Sequence, residues 1–222
     1  MASVPELLYH TTLTVIDYYV DTSGSTRKVF VLGTHTQLDK AKEFAVGALK
    51  ELGYEADDFA EYVVRKPGEE WKHGDGVIVY TKAEAGQEFL VGIDTKDNTE
   101  KLPEGRDGQL ELPRGVDHLH YVLQTKIDYN QDRSGTFQST EIEGCYIKRA
   151  DAFAAARKAL ASGEGALERD DFAQYDERKD GAESTWPFGE DVLVHAIAQT
   201  GENYTVAVRT VPGAHKQHAK KN

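Results

Sequence analysis

At 222 residues with 39% hydrophobic content, the chain can form one large domain or two small ones and can bury a real core. Its net charge of −12 repels phosphate backbones and anionic bilayers, and no basic stripe with interleaved aromatics offsets this. Neither nucleic acid nor membrane is therefore an expected partner. Cys145 is the lone cysteine and cannot form an intramolecular disulfide; no leader pattern and no apolar run of about eighteen residues occurs, so the expected location is cytoplasmic.

In chain order, residues 9–20 and 27–34 are β-rich runs joined by Asp21-Thr-Ser-Gly-Ser-Thr, a hairpin turn. Leu38, Ala41, Ala45, Ala48, Leu49 and Leu52 then recur at helical spacing, and Gly53 follows as a stop. Asp57-Asp58 predicts the start of a short second helix, whose free N–H groups carboxylates cap. Residues 76–83 and 88–95 form a closing hairpin turning near Gly86. Residues 96–117 are polar, with Gly and Pro and no apolar period, and read as a linker.

The remainder repeats this plan. Thr14, Ile16, Asp17, Tyr18 and Asp21 align with Thr125, Ile127, Asp128, Tyr129 and Asp132, and Ser23-Gly24 with Ser134-Gly135. Asp58-Phe59-Ala60 and Tyr62 align with Asp171-Phe172-Ala173 and Tyr175. Trp71, Gly74, Val77, Val79, Ala83, Gly86 and Val91 align with Trp186, Gly189, Val192, Val194, Ala198, Gly201 and Val206. The offset changes only in polar, Gly-bearing stretches, where insertions are tolerated. The counterpart of the Leu38–Leu52 stripe in the second copy is Ala152, Phe153, Ala156, Ala159 and Leu160 with Gly163 as the stop, the short second helix opens again at Asp170-Asp171, and a second hairpin pairs 191–198 with 203–210. The expected fold is α+β, a tandem duplication: 1–95 and 118–212 as ββααββ units, 96–117 as linker, 213–222 as a disordered tail. Each unit is expected to have a four-stranded antiparallel sheet covered by helices on one face, the two packing as a pseudo-dimer.

Alternation on the first strand places Ile16 and Tyr18 toward the helices and Leu13, Val15 and Tyr19 on the other face. The second copy has Gln124, Lys126 and Asn130 there, so only the first copy is apolar on both faces. An inter-repeat contact, a ligand cleft or an oligomer interface accounts for that asymmetry. Asp17 and Asp128, the duplicated carboxylates, are candidate bases or cation ligands, against the simpler reading of exposed strand carboxylates. Trp71 and Trp186 are candidate ligand walls or partner hot spots, against plain core rims.

His118 and His120 stand two apart at a strand start, a spacing that holds a transition metal but offers too few ligands for structural zinc. His10, in register with Tyr121, and His195, in register with Tyr80, occupy shared slots for a ring with a polar tip and are catalytic candidates, against the simpler reading of satisfied core histidines. The His215 and His218 pair and the Lys216, Lys220, Lys221 cluster belong to the tail. No phosphate-binding, dinucleotide, zinc-protease or nucleophile-elbow motif occurs, and no cofactor is implied. The expected function is a binding or interaction protein that holds a small molecule or a protein at the cleft or apolar face between the units. The alternatives are an enzyme using Asp, His and Tyr acid–base groups in that cleft, and a structural dimerisation module. The expected assembly is a monomer with an internal pseudo-two-fold or a homodimer.

Overall fold

The computed structural model describes residues 3–162, 166–179 and 186–212. The expected helix stop Gly163 and the tail 213–222 lie outside them. The chain is α+β and divides into two compact units, 3–117 with 211–212, and His118–Thr210.

The first unit contains β1 (Leu7–Asp17), β2 (Arg27–His35), α1 (Leu38–Glu51), β3 (Phe59–Val64), β4 (Val77–Ala83) and β5 (Gln87–Asp97). The strands form one sheet in the order β2-β1-β5-β4-β3, every neighbouring pair antiparallel. The second unit contains β6 (His120–Asp128), β7 (Gln138–Tyr146), α2 (Arg149–Ala156), β8 (Phe172–Glu177), β9 (Val192–Ala198) and β10 (Glu202–Arg209), in the order β7-β6-β10-β9-β8.

Among the described residues each sheet has five strands, not four, and each unit one α-helix, not two. The expected second helix is a single 3-10 turn, Ala56–Asp58 and again Arg169–Asp171. In both, a Glu and an Asp three residues later cap each other's backbone N–H groups, Glu55 with Asp58 and Glu168 with Asp171. The acidic pair is therefore a genuine N-terminal signal, but the chain beyond the turn is extended. Phe59, Tyr62, Val63 and Val64 favour a pleated surface and add a fifth strand at the edge beside β4.

Helix α1 buries Ala41, Ala45, Ala48 and Leu49 against β1, β2, β4 and β5. Small alanines let its backbone approach the sheet, while Leu49, fully buried, contributes about 2 kcal/mol of transfer free energy. The core partners of this stripe are Leu13, Val79, Phe89 and Val91, with Val15, Phe30 and Leu32 packed alongside. Leu13 and Val15 thus face the helix, the reverse of the expectation; Ile16 and His10 take the opposite face. Alternation separates two faces of a strand but does not say which one the helix covers when both carry apolar residues. Strand β1 also ends at Asp17, so Tyr19 lies in the turn beyond it, 83% exposed, and belongs to neither sheet face.

Residues 98–117 fold onto the first unit despite their polarity. Asn98 is buried, donates to the carbonyls of Pro5 and Leu102 and accepts from the Leu102 N–H, and Leu102 is itself buried. The Thr36 N–H donates to the Gly108 carbonyl, and His35 pairs with Gln109.

Candidate functional site

Several local structures converge on the helix-covered face of the first sheet, just beyond the end of α1. The helix closes with Gly53 at φ 94°, its N–H bonded to the Lys50 carbonyl and the Tyr54 N–H to the Leu49 carbonyl. This left-handed glycine stop turns the chain back and sets Tyr54 over the sheet. The capped turn at Glu55–Asp58 then starts β3 with Phe59. Strands β1, β2 and β5 contribute Val15 and Asp17, Lys28 and Phe30, and Gln87 and Phe89, paired Val15 with Lys28 and Phe89, and Asp17 with Gln87.

These residues line a pocket of about 690 Å³, within the range of small-molecule sites. Val15, Phe30 and Phe89 form an apolar floor. The rings of Tyr54, Phe59 and Phe89 meet with centroids 5.3–5.7 Å apart and planes inclined by 43–75°. Asp17 and Asp58 reach the pocket but already serve the backbone. Asp17 Oδ1 accepts from the N–H groups of Tyr19 and Val20 at 3.0 and 3.3 Å, and Asp58 accepts from Glu55 at 2.7 Å. Among the described residues, exposed Lys28 has no ion-pair partner.

The same register positions in the second unit have the opposite chemistry. Lys126 stands where the first unit has Val15, Ser139 for Lys28, Glu141 for Phe30, Tyr204 for Phe89 and Glu202 for Gln87. The Lys126 side chain lies over the Tyr204 ring, with Nζ 5.8 Å from its centroid and 3.7 Å from Glu202 Oε1. The Thr200 hydroxyl first, then the Glu202 backbone N–H and Lys126, hold the Glu202 carboxyl below its usual range. A hollow of about 410 Å³ in the second unit is lined by Leu160, Leu167, Arg169, Phe172, Tyr175 and Glu177; it shares the Phe59 position through Phe172, but Lys126, Glu141 and Tyr204, the counterparts of Val15, Phe30 and Phe89, do not line it.

On the opposite face, one row crosses all five strands of the first sheet: Arg27, Ile16, Glu88, Lys82, Glu61. Lys82 Nζ lies 3.4 Å from Glu88. Burial, then hydrogen bonding to Glu88, pushes the nearby Tyr80 phenol well above its usual range. The matching row in the second sheet is Gln138, Ile127, Asn203, Ile197, Gln174, with every charge replaced by a neutral residue.

The tryptophans head matched ring stacks. In the first unit Trp71 meets His73 edge-on at 4.8 Å, and His73 stacks on Tyr80 at 3.9 Å. In the second, Trp186 meets Phe188 at 5.0 Å, and Phe188 stacks on His195 at 3.8 Å. Histidine and a carbocyclic ring have exchanged places between the units. Trp71 Nε1 donates to the Gly74 carbonyl at 3.0 Å; half-buried Trp186 has no such bond among the described residues.

His195 Nδ1 lies 3.7 Å from Asp176; burial, the larger effect, lowers its pKa against the pull of that carboxylate. His10 is fully buried, its Nδ1 2.8 Å from Thr34 Oγ1, with a pKa lowered to about 4 by burial and then by the Lys96 charge. His10 and Asp17 sit seven residues apart on one strand, roughly 23 Å, and share no common point.

Asp128 repeats the turn role of Asp17, accepting from the Asn130 N–H at 3.0 Å and Gln131 Nε2 at 3.1 Å. Burial pushes its pKa up, but these bonds together bring it below the usual carboxylate range. The rings of His118 and His120 meet edge-on at 5.0 Å, and no cluster of three or more His, Cys, Asp or Glu side chains able to hold a metal occurs among the described residues. Cys145 is buried on β7 opposite Tyr121. No described helix is long and apolar enough to cross a membrane.

Of the expected site residues, the pocket gathers only Val15 and Asp17. Its aromatic walls, Phe30, Tyr54, Phe59 and Phe89, are not among those expected site residues. The available signal was the contrast of Phe30 with Glu141 at matched strand positions. No family model, curated protein or solved structure matches this chain.

Proposed function

We propose that the chain is a tandem duplication in which the first unit is a binding module for a small molecule with an apolar body, seated on Val15, Phe30 and Phe89. The second unit has given up that site. The observation that supports this reading is the exchange at matched register positions. The apolar floor of the first unit becomes Lys126 and Glu141 in the second, and Lys126 covers Tyr204. Core packing alone does not require an open apolar hollow on one unit and a self-filled one on the other.

Thermal denaturation with hexan-1-ol and benzyl alcohol as probes tests it. A ligand at about 100 times its Kd adds about 2.7 kcal/mol to the state that binds it, a shift of several degrees. Val15→Lys, which copies the second unit, is expected to abolish the shift. An unchanged shift in the folded variant overturns the assignment.

A further inference from the structure

We infer that the ligand of this pocket carries an alkylammonium head, the group that the second unit supplies from its own chain. This rests on the binding role proposed above and adds the chemistry of the ligand.

The second unit shows the arrangement with the cation tethered. Lys126 leaves β6 at the position of Val15 and brings its Nζ over Tyr204 at the position of Phe89, 5.8 Å from the ring centroid, and to 3.7 Å from Glu202 at the position of Gln87. Shortening that residue to valine in the first unit leaves the room of a lysine stem and head above Phe89. The rings of Tyr54, Phe59 and Phe89 line that space, inclined to one another, and aromatic rings attract cations.

Charge points the same way. Two carboxylates, Asp17 and Asp58, line the pocket against the single Lys28, which is exposed and solvated. Residues 1–110 carry 20 acidic and 12 basic side chains, a net −8 that favours the approach of cations. Asp17 Oδ2 takes only a long bond, 3.4 Å, from Gln87 and retains accepting capacity for an ammonium donor.

Calorimetric titration of the full chain with hexylammonium, hexan-1-ol and hexanoate decides the matter. Hexylammonium is expected to bind about tenfold tighter than hexan-1-ol, with hexanoate weakest. Gln87→Glu, which installs the carboxylate of the second unit, is expected to tighten hexylammonium about fivefold and leave hexan-1-ol unchanged. If hexan-1-ol binds as tightly as hexylammonium, or hexanoate binds best, the inference falls while the pocket assignment stands. If no probe binds, both fall.

Val15→Lys is expected to lose hexylammonium binding; should circular dichroism show that variant unfolded, the Gln87→Glu comparison still gives the answer. Nα-acetyl-lysine methylamide separates the two sources of the head. Binding equal to hexylammonium upholds the chemistry with a protein lysine as its source, and binding tenfold weaker upholds it with a free amine.

Discussion

His10 gives the most quantitative prediction. It is fully buried on β1 beside Thr34, and burial and then the Lys96 charge lower its pKa from 6.5 to about 4. A folded-state pKa below the unfolded value means that the unfolded chain takes up the proton first. The stabilisation from neutral His10 is therefore complete above pH 6.5 and is lost as pH falls toward 4. Linkage between those two values gives a loss of about 2 kcal/mol by pH 5 and about 3 kcal/mol by pH 4.

Carboxylates titrate in the same window, so the informative quantity is a difference. His10→Gln keeps a polar group for Thr34 and removes the titration. Urea unfolding of both proteins at pH 7, 6, 5 and 4, in a Trp186→Phe background so that Trp71 reports the first unit, isolates the histidine. The protein with His10 should lose about 3 kcal/mol more than the variant across the range. Parallel pH profiles would refute the burial argument.

Further predictions concern packing and turns. Gly24 holds φ 75°, and an added Cβ would sit 2.5 Å from Tyr18 Cε1, whereas at Gly135 the nearest Tyr129 atom is 3.0 Å away. Gly24→Ala should therefore destabilise the protein more than Gly135→Ala, by about 2 kcal/mol against about 1, as read by calorimetry; the reverse order would contradict the closer approach of Tyr18 to its turn. Ala45→Leu should cost about 1–3 kcal/mol by overpacking the helix–sheet seam, while Val46→Leu, on the 43% exposed neighbour, should stay within about 0.5 kcal/mol. Urea titration checks both, and equal effects would place the seam elsewhere. Glu88→Gln removes the charge shared by Lys82 and Tyr80 and should cost about 1–2 kcal/mol; the matching Asn203→Asp in the neutral row should bring no comparable gain in Tm.

Much of the fold was legible because matched turn residues in the two units mark it. Gly24 and Gly135 close the first hairpins against Tyr18 and Tyr129, and Gly86 and Gly201 close the last at φ 93° and 101°. The alanine stripe of α1 was equally plain. The strand after Asp58 was not, because a capped single turn and a capped helix begin with the same carboxylates, and only the β-favouring run of Phe59, Tyr62, Val63 and Val64 argues otherwise.

The apolar asymmetry of the two first strands was visible as Leu13 and Val15 against Gln124 and Lys126. Its face was not, because strand parity has no absolute sign until the helix is docked. Tyr54 carries no sequence signal, because a residue after a helix stop belongs to no periodic pattern. Only the left-handed Gly53 brings it over Phe89.

An open apolar hollow in the first unit, with its counterpart in the second occupied by Lys126, is the feature on which the proposed binding role depends. Amide chemical-shift mapping during a hexan-1-ol titration tests this residue by residue. Shifts concentrated at Val15, Phe30, Tyr54 and Phe89, with Lys126 and Tyr204 unmoved, are the predicted result. Equal movement in both units, or movement only outside these residues, would contradict it.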